Sequence, residues 1–145
     1  MQKIRTFLWF DDKAEEAARF YVSIFKNAKI ESVSPMMVRF VLEGVEFMAL
    51  NGGPQFAFTP AISLFVDCDG QAEVDALWAK LLEGGEESRC GWLADKYGLS
   101  WQIIPKQLGD LMGDDDDEKS ERVMQAMLGM VKIDVAALQR AHDGS

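Results

Sequence analysis

The sequence predicts an α+β fold made of two tandem βαβββ modules followed by a helical tail. Two observations predict it. The order strand, helix, three strands is written twice, and FLWFDDKAEEAARFY aligns with SLFVDCDGQAEVDALW. The Gly44 turn with its following strand matches the Gly98 turn with its own. A repeat of this kind constrains the fold more than any local propensity.

Residues 3 to 10 read as the opening strand. Residues 13 to 25 read as a helix, because Ala14, Ala17, Ala18, Tyr21, Ile24 and Phe25 recur at helical spacing. Asp11 or Asp12 can cap it, with Glu15 and Glu16 in the first turn, where the helix dipole favours them. Strands follow at 29 to 34, 36 to 43 and 45 to 50. Asn51-Gly52-Gly53-Pro54 has the composition of a turn or linker.

The second module opens with a strand at 61 to 66 and a helix at 71 to 83, whose stripe is Val74, Leu77, Trp78, Leu81 and Leu82. Gly84-Gly85 ends that helix. Two short strands are expected within 86 to 95. The stretch YGLSWQIIP holds the last strand, with Gly98 as its turn and Pro105 as its stop. Alternation puts Ser100, Gln102 and Ile104 on one face and Leu99, Trp101 and Ile103 on the other. Gln102 is the lone amide on its face. It reads as a satisfied amide or as the polar handle of a site.

After Pro105 the pattern changes. The acidic run Asp114 to Glu118 reads as a solvated helix start, followed by a helix carrying Val123, Met124, Met127, Leu128 and Val131. Ile133-Asp134 reads as a hydrophobic staple and N-cap for a last helix through Leu138. The expected organisation is one domain over 1–145, with module one at 1–54, module two at 55–105 and the tail at 106–145.

Composition sets limits on function. The chain is 48% hydrophobic and 27% charged, with a formal net charge of −9 and no Lys/Arg cluster, which argues against nucleic acid and anionic membrane as partners. No apolar run reaches the roughly 20 residues of a membrane span. MQKIRTFLWF lacks the features of a signal peptide, and Cys68 and Cys90 lack CxxC spacing, so the expected location is cytoplasmic.

Two βαβββ modules in a chain of this size resemble the vicinal oxygen chelate superfamily of glyoxalase I, extradiol dioxygenases, and fosfomycin and bleomycin resistance proteins. FLWFDDKAEEAARFYVSIF, FMALNGG, CGWLADKYGLSWQIIP and ERVMQAMLGMVKIDVAAL resemble its PhnB-like branch, whose members often carry the label 3-demethylubiquinone-9 3-methyltransferase. The resemblance implies curved mixed sheets forming one cup, helices outside, and a homodimer. Related sequences carry a longer glycine-rich loop where Ser34-Pro35-Met36 joins two strands here.

Metal-binding members take one ligand from each of four strands. The matching positions are Arg5, Met48, Ala61 and Gln102. Ala61 offers no donor, Met48 a soft thioether, Gln102 a neutral amide and Arg5 a fixed cation. A unit positive charge is repelled by a divalent ion at ~4 Å by about 8 kcal/mol at an effective dielectric of 20. The expectation is therefore no metal and no cofactor. Strand parity adds Phe7 and Trp9 beside Arg5, and Ser63 and Phe65 beside Ala61. Aromatic walls with few polar groups suit a small organic ligand, and Arg5 could hold an anionic group on it. The sequence reading is a metal-independent small-molecule-binding protein, with an enzyme of unknown reaction as the alternative. The methyltransferase of the label fits poorly, since the first strand runs into DDKAEE without a glycine loop.

Overall fold

The computed structural model describes residues 2–144. They divide into two compact units, Met1–Phe58 and Thr59–Ser145.

In the first unit β1 (Thr6–Phe10) leads through α1 (Ala14–Ile24) to β2 (Lys29–Val33), β3 (Met37–Leu42) and β4 (Val45–Asn51). The sheet order is β1-β4-β3-β2, with β1 parallel to β4 and the other pairs antiparallel. Alternation buries Leu8, Phe10, Val38, Phe40, Leu42, Phe47 and Ala49 on one face. The alanines Ala14, Ala17 and Ala18 and the ring of Tyr21 are the buried residues of α1. Phe40 stacks on Phe47 at 5.3 Å between ring centres. Burying such a ring contributes about 1.5–3 kcal/mol.

Neither Asp11 nor Asp12 caps α1. Lys13 holds the N-cap position without a side-chain bond, and Asn51 Oδ1 accepts from Ala14 N at 2.8 Å. Asn51 Nδ2 also donates to Pro35 O at 3.1 Å, so one amide at the end of β4 joins the helix start to the β2–β3 hairpin. That hairpin is a tight turn. Ser34 N donates to Met37 O at 2.8 Å, while Met37 N donates to the Ser34 hydroxyl at 3.1 Å. Proline cannot take the positive φ of a primed turn, and the serine side chain supplies the second bond. The unit runs past the expected module end at 54. Trp9 meets Phe56 edge-on at 4.9 Å, and Phe10 meets Phe58 at 5.2 Å.

The second unit repeats the plan: β5 (Ser63–Cys68), α2 (Gln71–Leu82), β6 (Glu86–Glu87), β7 (Trp92–Ala94) and β8 (Ser100–Pro105), in the order β5-β8-β7-β6. Cys68, Leu93, Trp101 and Ile103 are buried on one side of the sheet, as are Val74, Leu77, Trp78 and Leu81 of α2. Asp95 is 3% exposed and organises the turn into β8. Its Oδ1 accepts from Tyr97 N at 2.9 Å and Leu99 N at 3.1 Å, and its Oδ2 from Trp101 Nε1 at 2.9 Å.

The tail has one helix more than the sequence predicts. Pro105 ends β8 and is also the N-cap of α3 (Lys106–Met112). A missing N–H costs nothing at a helix start, so the proline stops the strand and opens the helix. Asp116 caps α4 (Asp117–Leu128) by accepting from Glu118 N and Lys119 N, and Asp134 caps α5 (Val135–Asp143) by accepting from Ala137 N. Ile104, Leu108, Val123, Ile133 and Leu138 form one buried cluster. Backbone bonds fasten the tail to the sheet: Cys90 N donates to Met130 O and Gly91 N to Val131 O, both at 2.8 Å. Gln71 of α2 donates to Ile133 O at 2.9 Å and accepts from Val135 N at 2.7 Å.

His142 closes the far end of the tail, its Nε2 lying 2.7 Å from Asp114 Oδ2. The bond to Asp114, and then one to Asp143, raises the imidazole above its usual 6.5. Asp114 is held below its usual 3.8, first by the N–H of Asp116 and then by His142. The histidine's contribution is therefore complete below pH 6.5 and disappears as pH rises through its elevated value. The aspartate's is present above 3.8 and disappears on acidification. Amide exchange in α5 is expected to accelerate, beyond its intrinsic pH dependence, as pH rises above 6.5. His142→Gln is expected to remove that extra step; its persistence in the variant would refute the assignment.

Candidate functional site

The register across the second sheet places Phe65 opposite Gln102 and Gln102 opposite Trp92. Adjacent strands lie about 4.8 Å apart, so the amide has an aromatic residue on each side. By alternation, Ser63, Asp67, Ser100 and Ile104 share this face, opposite that of Trp101 and Ile103. Gln102 Nε2 donates to Ser63 Oγ at 3.0 Å. Three residues picked out from the sequence, Ser63, Phe65 and Gln102, thus stand together.

A cavity of about 410 Å³ opens above this row. Its sheet side includes Phe65, Trp92 and Gln102, and its helix side includes Leu108 and Met112 of α3 and Met127 of α4. The rim carries Asp67 and Lys106, opposite in sign. Cys90 also lines it, with a positive φ of 57°. Cys68 is a different thiol. It is buried, and burial, with Glu73 and Asp67 nearby, pushes its pKa up to about 12, so it stays protonated and inert.

The other sequence-predicted residues are placed as follows. Phe7 pairs in register with Met48, and Met48 with Arg39, on the face of the first sheet opposite Leu8, Phe47 and Phe40. Arg5 lies one residue before β1. Trp9 on the same face donates from Nε1 to Gly53 O at 3.0 Å, which gives its indole a structural role. Ala61 is not on a strand. It sits in an exposed turn, with its N–H bonded to Thr59 Oγ1 at 3.2 Å, and β5 begins two residues later.

Sequence reasoning missed Arg39, Trp92 and the tail residues. Arg39 is a cation on the same face as Met48 and lies 3.6 Å from Glu31. Alternation in MVRFVL and in GWLA signals Arg39 and Trp92. Leu108, Met112 and Met127 have no local signal, because tertiary packing alone brings them over the sheet.

The metal that the superfamily implies does not fit these residues. Ala61 has no side-chain donor atom, Arg5 is a cation, and Met48 offers only a soft thioether, which leaves the neutral Gln102 as the one oxygen donor of the four. The sole histidine, His142, is bonded within the tail. Among the described residues no group of three or more His, Cys, Asp or Glu side chains is arranged to hold a metal ion.

Two four-stranded mixed sheets of the same strand order, each carrying its helix, define a glyoxalase-like fold. The chain belongs to the 3-demethylubiquinone-9 3-methyltransferase (PhnB) family, whose model matches residues 2–104. A PhnB protein from Bacillus cereus is 38% identical, with a TM-score of 0.69, over 72% of this chain and 99% of its own. Protein PA1353 from Pseudomonas aeruginosa is 21% identical, with a TM-score of 0.62, over 72% of this chain and 98% of its own. The fosfomycin resistance protein FosX from Listeria monocytogenes, solved with Mn(II) and sulfate, shares the fold at 17% identity and a TM-score of 0.51, over 70% of this chain and 88% of its own. No curated protein matches the chain. The family model ends at Ile104, so the whole tail lies beyond it.

Proposed function

We propose that this chain is a metal-independent small-molecule-binding protein whose ligand lies on Gln102 in the second unit. The cavity of about 410 Å³, floored by an amide between Phe65 and Trp92, carries this reading. Its size falls in the range of small-molecule sites, and apolar walls with a single polar handle are their usual construction. A ligand present at 100 times its Kd is expected to stabilise the protein by about 2.7 kcal/mol, visible as a thermal shift. Gln102→Leu is expected to weaken that ligand by about 0.5–1.5 kcal/mol. Failure of a broad small-molecule set to shift the wild-type protein at all would sink the reading.

The second reading is an enzyme of unknown reaction, favoured by the Cys90 thiol in the cavity wall. Turnover of the bound compound, lost in Cys90→Ser, distinguishes the two. The methyltransferase of the family description has less support. Only one strand pair in each sheet is parallel, and β1 enters α1 through Asp11-Asp12-Lys13 rather than a glycine loop. Calorimetry with S-adenosylmethionine tests it, and measurable heat of binding would restore it.

The same proposal includes a homodimer in the cytoplasm. Val123 of α4 is buried, whereas Met124, Leu128 and Val131 are 38%, 50% and 41% exposed in a row along and just beyond the helix. Such a row suits a second copy of the chain. Light scattering is expected to give a dimer at micromolar concentration and a monomer for Leu128→Lys. A wild-type monomer would remove this part. Both cysteines are free, in keeping with a reducing compartment.

A further inference from the structure

We propose that Leu108, Met112 and Met127 form the specificity-determining wall of the cavity, and that the cavity takes a neutral aromatic compound. The inference rests on the reading that the cavity binds a small molecule, and it adds which residues choose the ligand and what kind of ligand that is.

The wall comes from outside the family model, which ends at Ile104. The sheet side offers Phe65, Gln102 and Trp92 in one row, a surface that accepts a flat ring. Sheet residues alone leave that row open above. The tail walls one side of it, with α3 bringing Leu108 and Met112 and α4 bringing Met127, while Phe65 stays 54% exposed. These three are not loose. Leu108 is buried in the cluster with Ile104, Val123, Ile133 and Leu138, and Met112 and Met127 pack against it. The depth available above Gln102 is therefore set by helices that the cluster holds in place. Methionine is unbranched and soft, so it follows the outline of an aromatic edge and makes favourable sulfur–ring contacts.

The charge of the ligand follows from the rim. Asp67 and Lys106 oppose each other in sign, and Lys106 also lies 3.9 Å from Asp69, so the cation at the opening is matched by carboxylates and is not free for an anion. The chain's net charge of −9 disfavours an anion further. Asp67 at the rim is the one charged side chain in the lining that shares the sheet face of Gln102. Burying an ion there without a partner is costly, whereas a neutral ring gains from leaving water.

The test uses the full chain and three probes: 2-naphthol, 2-naphthoate and 2-hydroxyanthracene, with binding read by quenching of ligand and protein fluorescence. Wild-type protein is expected to bind 2-naphthol in preference to both the anion and the three-ring compound. Met112→Ala and Met127→Ala are each expected to shift the ratio of 2-hydroxyanthracene to 2-naphthol binding by about tenfold towards the larger ring, the scale of discrimination by pocket methylenes. Met112→Leu and Met127→Leu keep the bulk and are expected to leave the ratio near wild type. If an alanine variant is too unstable, as judged by its melting curve, Met112→Phe serves in its place, because it makes the opposite change: a smaller cavity that loses both rings. Binding that depends on Gln102 but keeps its ring-size ratio in all wall variants overturns this inference and leaves the proposed function standing. Tighter binding of 2-naphthoate than 2-naphthol overturns the neutral-ligand part. Absence of binding by all three probes overturns the aromatic assignment, and absence of binding by the broad set overturns both readings.

Discussion

Asp95→Ala is expected to destabilise the second unit by about 3–5 kcal/mol, because it strands several buried N–H donors at about 1–3 kcal/mol each. Its carboxylate serves three donors at once: the N–H groups of Tyr97 and Leu99, and the indole N–H of Trp101. Trp101 is 2% exposed and Asp95 3%, so water cannot replace the lost acceptor without rearrangement. With an m-value of roughly 2 kcal/mol per molar urea, the unfolding midpoint should fall by about 2 M. Asp95→Asn is the graded control. It keeps the shape and one acceptor oxygen but not the charge, and should recover part of the loss. A loss below about 1 kcal/mol in the alanine variant would mean that the network is incidental.

Gly91→Ala is the second large effect, expected at about 2–4 kcal/mol as positive-φ strain and overpacking combined. Gly91 has φ +85°, and an added Cβ would lie 2.7 Å from Ile104 Cδ1, 3.0 Å from Ile133 Cγ1 and 3.1 Å from Ile103 O. The isoleucine tips can yield, but the carbonyl oxygen belongs to β8 and cannot. Gly98→Ala separates the two causes. Gly98 has φ +87° with nothing within 4 Å of its added Cβ, so only strain remains, about 1 kcal/mol. Equal losses in the two variants, measured by urea unfolding, would refute the packing part of the argument.

The doubled order of elements was readable because the repeat and the alternation agree. Leu99 to Ile104 alternate as the sequence predicts in pointing, although both faces are largely buried: Ser100 and Ile104 are covered as well. The association of Ser63, Phe65 and Gln102 followed from parity once β5 and β8 were paired. Asp134 was readable as a cap because its partner lies three residues on. Asn51 was not, because the N–H that it caps is 37 residues away. Helix α3 was hidden by reading Pro105 as a stop alone. Ala61 reads as part of a strand because AISLFV is apolar apart from Ser63, yet pairing with β8 begins only at Ser63. The far wall of the cavity was illegible for the same reason as the Asn51 cap: no local pattern records which helix folds over which strand.

Gly91 donates to Val131 and accepts from Ile103 N, each at 2.8 Å. One residue is thus a relay between the loop that closes the tail and the central strand of the sheet. The tail and β8 are fastened to the same residue, and they are expected to open as one cooperative unit in hydrogen exchange. Fluctuations that widen the cavity from the helix side are then felt as lost protection at the amides of Gly91 and Ile103 together.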